Sequence, residues 1–257
     1  MAIHFEHGPL SWTARSVERF SDTVGDHVET GNRRWLDRAT RRCLATIFDR
    51  ERLDASLVLD IGSDTGLFVD WFLAQGAKVE GLDLSAAVVD RLSARYPAAR
   101  FTQRSVSGTT FPSLGVFHVV NAWTEMQNLR DAAPFERALR NLTTCCDEGS
   151  RLIVCDRLGA PVDHVGSDGR QYRSLVTYER ALGALGFESV RTMPLFGQLN
   201  RARPGWDRLQ DTAGALLYVM DRFVRELPTD NLSVGVWRYR GADIATLEPA
   251  AMWPLAS

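Results

Sequence analysis

The sequence predicts an α/β fold: a seven-stranded, mostly parallel sheet with helices on both faces and an N-terminal helical cap. Three observations carry this expectation. Short apolar runs alternate with amphipathic stretches through the first half, the rhythm of strand–helix–strand units that build parallel sheets. A Gly/Ser/Asp/Thr turn at residues 62–66 joins one such strand to the helix after it. Two late strands, after that rhythm has changed, suggest an antiparallel pair at one sheet edge.

The elements follow in order. Trp12 to Asp49 has helical periodicity and no strand, and reads as the cap plus a first packing helix. Residues 1–50 are assigned to it, and 51–257 to the sheet domain. Ser56 to Ile61 is a buried strand, and Leu67 to Gln75 a helix closed by Gly76. Ala77 to Asp83 is the second strand; Ser85 caps a helix from Ala86 to Tyr96 that Pro97 stops. Further strands are expected at Ala99–Arg104, Val116–Ala122 and Arg151–Cys155, with a helix from Ala132 to Cys146 before the last. Gly159 to Gly169, rich in Gly, Pro and Asp, reads as a loop over the C-terminal edge of the sheet, where ligands sit in such folds. A helix at Thr177–Leu185, a strand at Phe187–Met193, a long amphipathic helix at Asp207–Glu226 and a strand at Leu232–Tyr239 complete the chain.

Composition narrows the partners. Lys and Arg total 30 against 32 Asp and Glu, a net charge of −2, so no electrostatic footprint for nucleic acid or an anionic membrane exists. Hydrophobic residues make up 45% of the chain, enough for a sizeable core. Cys43, Cys145, Cys146 and Cys155 form no CxxC pair and have no His at ligand spacing, which argues against zinc and against a disulfide framework. The N-terminal residues lack the basic start and apolar run of a signal peptide, and no apolar run approaches the roughly 20 residues of a membrane span. A cytoplasmic protein with a small-molecule partner, binding neither nucleic acid nor membrane, is expected. The sequence leaves the oligomeric state open.

The chemistry concentrates in Val58 to Phe68, which reads VLDIGSDTGLF. Gly62 and Gly66 let the backbone turn tightly and approach a ligand with no Cβ in the way. The helix opening at Leu67 aims its unpaired N–H groups at the same place. Asp83 ends the next strand, where a carboxylate can accept both hydroxyls of a ribose. The G-x-G-x-x-G spacing of nicotinamide and flavin enzymes is absent, and a carboxylate in the turn would repel a pyrophosphate.

These residues resemble the class I S-adenosylmethionine-dependent methyltransferases, of the small-molecule type. The family's first motif runs apolar-apolar-Asp-apolar-Gly-x-Gly-x-Gly, and Val58 to Gly66 matches it except at one glycine, with Asp60, Gly62, Ser63 and Gly66 in their expected places. Val79 to Ser85, VEGLDLS, matches the second motif, which implies Asp83 on the ribose and Leu84 against the adenine. Ser105 and Val106 fall where the family places an adenine-contacting pair. Phe117 to Trp123 sits at the fourth strand, whose end usually lines the methionine half of the cofactor. The resemblance spans roughly Ser56 to Met193 and implies a Rossmann-like fold with S-adenosyl-L-methionine as cofactor. The chain departs from the pattern at Asp64, which replaces a glycine, at His118, which replaces an Asp, and at Ser105, which replaces a frequent Asp. Asp64 either binds the cofactor's ammonium group or turns to solvent.

Glu125, beyond the fourth strand, is a candidate base or an exposed loop acid. His164 is a candidate base or simply an exposed loop histidine. Tyr172, next to Arg170 and Arg173, reaches the cofactor or orients a substrate, or else packs on a helix surface. Asn121 ends a buried strand with a polar side chain that needs a partner. Trp123 is either an aromatic wall near the sulfonium or a core residue. Arg33 or Arg34 pairs with the cofactor's carboxylate or lies on a helix surface. Trp12 and Phe20 suit a lid over the cofactor, or the apolar face of the cap. The function implied is methyl transfer to a small molecule, in specialised metabolism. Two alternatives use the same cofactor: a cyclase that turns it into azetidine-2-carboxylate and methylthioadenosine, and a pericyclase or scaffold in which it is structural.

Overall fold

The computed structural model describes residues 30–49, 51–166, 169–195 and 232–241, with side chains from residue 37 onward. The expected lid residues Trp12 and Phe20 and the long helix at 207–226 lie outside the described residues. So do the side chains of Arg33, Arg34 and Trp35, although their backbone belongs to a helix.

That helix, α1 (Thr30–Ile47), leads into β1 (Leu57–Ile61), α2 (Leu67–Ala74), β2 (Lys78–Asp83) and α3 (Ala86–Arg95). Next come β3 (Arg100–Gln103), β4 (Val119–Ala122), a single 3₁₀ turn (Met126–Asn128), α4 (Ala132–Thr143) and β5 (Arg151–Asp156). A short hairpin, β6 (His164–Val165) and β7 (Gln171–Tyr172), precedes α5 (Leu175–Ala184), β8 (Phe187–Pro194) and β9 (Ser233–Tyr239). The sheet has seven strands in the order β3-β2-β1-β4-β5-β9-β8. Strands β3, β2, β1, β4 and β5 pair in parallel, while β9 runs antiparallel to both β5 and β8.

All seven expected strands form, and the antiparallel pair stands at the predicted edge. The differences are local. The fourth strand begins at Val119 instead of Val116, although Phe117 already donates its N–H to the Cys145 carbonyl. Helix α4 ends at Thr143, where the Thr143 and Thr144 hydroxyls turn back onto the Leu139 and Asn141 carbonyls. Helix α5 starts at Leu175, one residue after its N-cap Ser174, whose hydroxyl accepts from the Thr177 N–H. The expected loop at 159–169 contains the β6 strand, paired His164 to Tyr172 and Val165 to Gln171.

Alternation along each strand splits the core in two. Leu59, Val120 and Leu152 face one cluster with Phe135, Leu139, Tyr178 and Trp237. Val58, Val119 and Ile153 face another with Leu44, Phe48, Trp71 and Phe72. Full burial of each such Val, Leu or Phe contributes about 1.5–3 kcal/mol. The parallel order reverses between β1 and β4, and that switch point is where an open α/β sheet leaves a crevice at its C-terminal edge.

Candidate functional site

The chain leaving β1 turns through Gly62 at φ +72° and enters α2 through Gly66 at φ +81°. Both values favour glycine, and both positions are crowded as well. A Cβ on Gly62 would stand 2.7 Å from Glu125 Oε2, and one on Gly66 would stand 2.9 Å from both Leu92 and Tyr96. The loop is therefore a close approach between backbone and neighbours. Asp64, the departure from the glycine pattern, also adopts a left-handed φ of +36°, a conformation that Asp tolerates better than most residues.

Asp83 ties this loop to β2. Its Oδ2 accepts the Asp64 N–H at 3.1 Å and its Oδ1 accepts the Ser85 N–H at 2.9 Å. A carboxylate offers about four lone-pair sites, so room for two further donors remains. Leu84, next along, is 44% exposed, an apolar side chain open at the end of a sheet strand. Ser105 accepts from the Ser107 N–H at 3.2 Å, and Val106 is buried in the core with its carbonyl held by Asn141.

Beneath the loop, Asp60 and Asn121 are register partners on β1 and β4, both without solvent exposure. Asn121 Nδ2 donates to Asp60 Oδ1 at 2.7 Å, the partner its position demanded. Burial raises the Asp60 carboxyl to about 6 against the lowering effect of that bond. Ser63 donates its hydroxyl to the Asp60 carbonyl at 3.2 Å. Trp123 is 6% exposed, its ring 4.9 Å from that of Phe68.

Glu125 comes to rest against Gly62. Its Oε2 accepts from Asn128 Nδ2 at 3.2 Å. Desolvation first, then the charge of Asp83, raises its carboxyl to about 7, against the pull of Asn128 and Arg170. Burial is also the largest cause of the rise at Asp83. Asp60, Asp64, Asp83 and Glu125 thus surround one loop, a field that favours a cationic ligand.

The hairpin stands close enough for the charge of Arg170 to act on Glu125. His164 and Tyr172 are cross-strand partners with rings stacked at 5.5 Å. Arg157 lies 3.9 Å over the Tyr172 ring and 3.4 Å from His164 Nε2. His164 Nδ1 lies 3.4 Å from the Val162 carbonyl, an arrangement that suits the tautomer in which Nδ1 donates there and Nε2 accepts from Arg157.

The clamp that seats this hairpin is absent from the expected site residues. Asp156, fully buried at the end of β5, accepts the backbone N–H groups of Arg157 and Arg173 and the hydroxyl of Tyr178. Burial raises its carboxyl to about 7. The Arg173 guanidinium donates to the carbonyls of Met126 and Leu129, at 3.0 and 2.5 Å, just after Glu125. Asp163 accepts from Ser174 and Thr177 at the start of α5. The only sequence signal for this network is that Asp156 ends a buried strand, as Asp83 ends another.

The residues fit S-adenosylmethionine. A glycine-shaped turn approaches where a Cβ would collide, an acid with lone pairs to spare ends β2, an apolar side chain stands open beside it, and four carboxylates match a cationic ligand. Among the described residues, no group of three His, Cys, Asp or Glu side chains is placed to hold a metal ion. No described helix is long and apolar enough to cross a membrane.

Comparison with known proteins agrees. A curated relative, the demethylmenaquinone methyltransferase of Thermobifida fusca, is 28% identical over 155 residues, spanning 58% of this chain and 64% of its own length. The 1,6-didemethyltoxoflavin-N1-methyltransferase of Burkholderia thailandensis, solved with its substrate and S-adenosylhomocysteine, superposes with a TM-score of 0.56 at 19% identity, covering 91% of this chain and 93% of that one. The [4+2]-cyclase SpnF superposes at 0.55 with 17% identity, over 80% and 83% of the two chains. The profile of the family described as "Methyltransferase domain" matches residues 30–191. The chain therefore belongs to that family, the S-adenosylmethionine-dependent methyltransferases of class I, and S-adenosyl-L-methionine is its cofactor.

Proposed function

We propose that this chain transfers a methyl group from S-adenosylmethionine to a small molecule, in specialised metabolism, with Glu125 as the base. The observation that carries the reading is the position of Glu125: a carboxyl raised to about 7, against the Gly62 turn and within the field of Arg170 on the hairpin. The names of the relatives support a small acceptor, one a demethylmenaquinone and another a toxoflavin precursor.

In this reading Asp83 holds the ribose and Leu84, Ser105 and Val106 flank the adenine. The loop from Gly62 to Gly66, with Asp60 and Asn121 beneath it, shapes the methionine end. Trp123 and the helix carrying Arg33 border the same end. When bound, the cofactor supplies an electrophilic methyl group on a sulfonium. The chain's own part is to hold the acceptor in line with that methyl and to take its proton. Glu125 is suited to the proton, because a base with a pKa near the working pH is both deprotonated enough and strong enough. Tyr172, with Arg157 over its ring and His164 packed against it across the hairpin, orients the acceptor. His164 supports Arg157, since its Nε2 lone pair is directed at that guanidinium.

Asp64 supports a second reading, self-cyclisation of the cofactor. A carboxylate stands at a position usually held by glycine, on the loop that this reading gives to the cofactor's methionine end. Incubating the protein with S-adenosylmethionine alone, and then with a panel of acceptors, separates the two by mass spectrometry. S-adenosylhomocysteine that forms only with an acceptor supports methyl transfer. Methylthioadenosine with azetidine-2-carboxylate, formed without one, supports cyclisation and overturns the first reading. A cofactor that stays bound and unconsumed with every acceptor points to the pericyclase or scaffold role.

A further inference from the structure

We propose that the acceptor bears an oxyanion, a carboxylate or an ionised acidic hydroxyl, which Arg157, Arg170 and Arg130 receive at the β6–β7 hairpin; this rests on the methyltransferase reading above. The site is divided by charge. Asp60, Asp64, Asp83 and Glu125 surround the cofactor loop, whereas the hairpin and its seat present guanidinium groups.

Arg157 leaves β5 at the ligand edge, its guanidinium carbon 3.9 Å from the centre of the Tyr172 ring. A cation–π contact uses none of the five N–H donors of a guanidinium, and His164 takes one of them. The in-plane fork that remains matches the two oxygens of a carboxylate. Arg170 closes the hairpin tip, where its carbonyl accepts the Gly166 N–H at 2.8 Å, and its charge acts on Glu125. Arg130 donates from Nε to the Gly169 carbonyl at 2.7 Å and so fastens that tip to the segment following Glu125.

Among the described residues, two acids beside the hairpin are held by other partners: Asp163 faces the first turn of α5, and Asp156 holds the two ends of the hairpin. A cationic acceptor would be repelled at these arginines; an anionic one would meet complementary charge. Val162 and Val165, 66% and 61% exposed on the same hairpin, add apolar surface beside those guanidiniums. The acceptor expected is thus an acid with an apolar body.

The test uses the full chain loaded with S-adenosylhomocysteine and three probes that share a ring: 4-hydroxybenzoate, 4-hydroxybenzyl alcohol and tyramine. Titration followed by NMR should show 4-hydroxybenzoate binding best, with a loss of about tenfold in the double variant Arg157→Met/Arg170→Met. Calorimetry on the same variant should show unchanged affinity for S-adenosylhomocysteine. If the double variant does not fold, Arg130→Gln, a change at an exposed residue, should weaken the benzoate alone. The proposal is overturned if tyramine or the alcohol binds as well as 4-hydroxybenzoate. It is equally overturned if 4-hydroxybenzoate does not bind, or binds the variants undiminished. Failure of the wild-type protein to bind S-adenosylhomocysteine would instead strike the methyltransferase reading.

Discussion

Between β1 and β2 the ligand edge is shaped by backbone: two left-handed glycines, a left-handed Asp64, and N–H groups gathered by Asp83. Between β4 and β5 it is shaped by buried side chains: Asp156 gathers the ends of the hairpin, and Arg173 pins the segment after Glu125. A backbone-built half tolerates changes of side chain as long as its few glycines and its acid remain. A half built from side chains depends on every partner in the network, because each buried polar group left alone costs free energy. The first arrangement suits a cofactor that never changes. The second suits a pocket held in one geometry by its full set of partners.

Four experiments can break or sharpen that contrast. The largest effect is expected at the border between the halves. Glu125→Gln should lower kcat by about 10²- to 10⁴-fold with an acceptor found in the mass-spectrometric screen. The wild-type rate should rise with pH through about 7, and the variant should lose that inflection. An unchanged profile would remove Glu125 from the proton transfer.

Next is the clamp. Arg173→Met leaves the Met126 and Leu129 carbonyls without their donor, at a cost of about 1–3 kcal/mol in stability by chemical denaturation. Hydrogen exchange should quicken at the hairpin and stay unchanged at Asp64 and Ser85. Faster exchange in both places would mean that the halves are not independent.

A smaller loss is expected on the cofactor side. Asp83→Ala should weaken cofactor binding by more than about 1 kcal/mol in titration calorimetry, since two hydroxyls lose a charged acceptor. Equal affinity would move the pocket elsewhere.

The last effect is on pH. Asp156 has a folded-state pKa of about 7, above the ordinary carboxylate value of 3.8, so the folded chain binds more protons than the unfolded one between those limits. Its contribution to stability is therefore largest at low pH and falls as pH rises from about 4 to 7. Asp156→Asn should flatten that part of the Tm-against-pH curve, and a curve of unchanged slope would assign the dependence to other groups.

The same contrast explains what could be read without a structure. Strand positions, the Gly62–Gly66 turn and the Asp83 terminus follow from local rules: period-two burial, positive φ, and an acid at a strand end. Asn121 was legible too, because a buried amide requires a partner. The Asp156–Arg173–Tyr178 network was not, since its members come from three elements and meet only after the sheet and α5 have packed. The β6–β7 hairpin, whose first strand lies inside a Gly/Pro-rich stretch, escapes such rules because its strands are two residues long, too short for any alternation to show. His164 and Tyr172 were singled out separately, and nothing in their spacing said that they stack.

Asp60 and Asn121 have one more property. Asn121 donates to Asp60 Oδ1, while Asp60 Oδ2 and Asn121 Oδ1 are both buried without a hydrogen-bond partner. These are the two remaining polar atoms of a facing acid and amide, and one proton on Oδ2 supplies the donor that both lack. A bond from that proton to Asn121 Oδ1 would make the pair a proton-dependent rung joining β1 to β4 where the strand order reverses. With the acid's pKa at about 6, that rung is complete in mildly acidic solution and loses its proton as the pH rises through that value. A cationic cofactor arriving above it would drive the same proton off. Cofactor binding near pH 6 should then release protons to the buffer, read as a binding enthalpy that changes with the buffer's heat of ionisation.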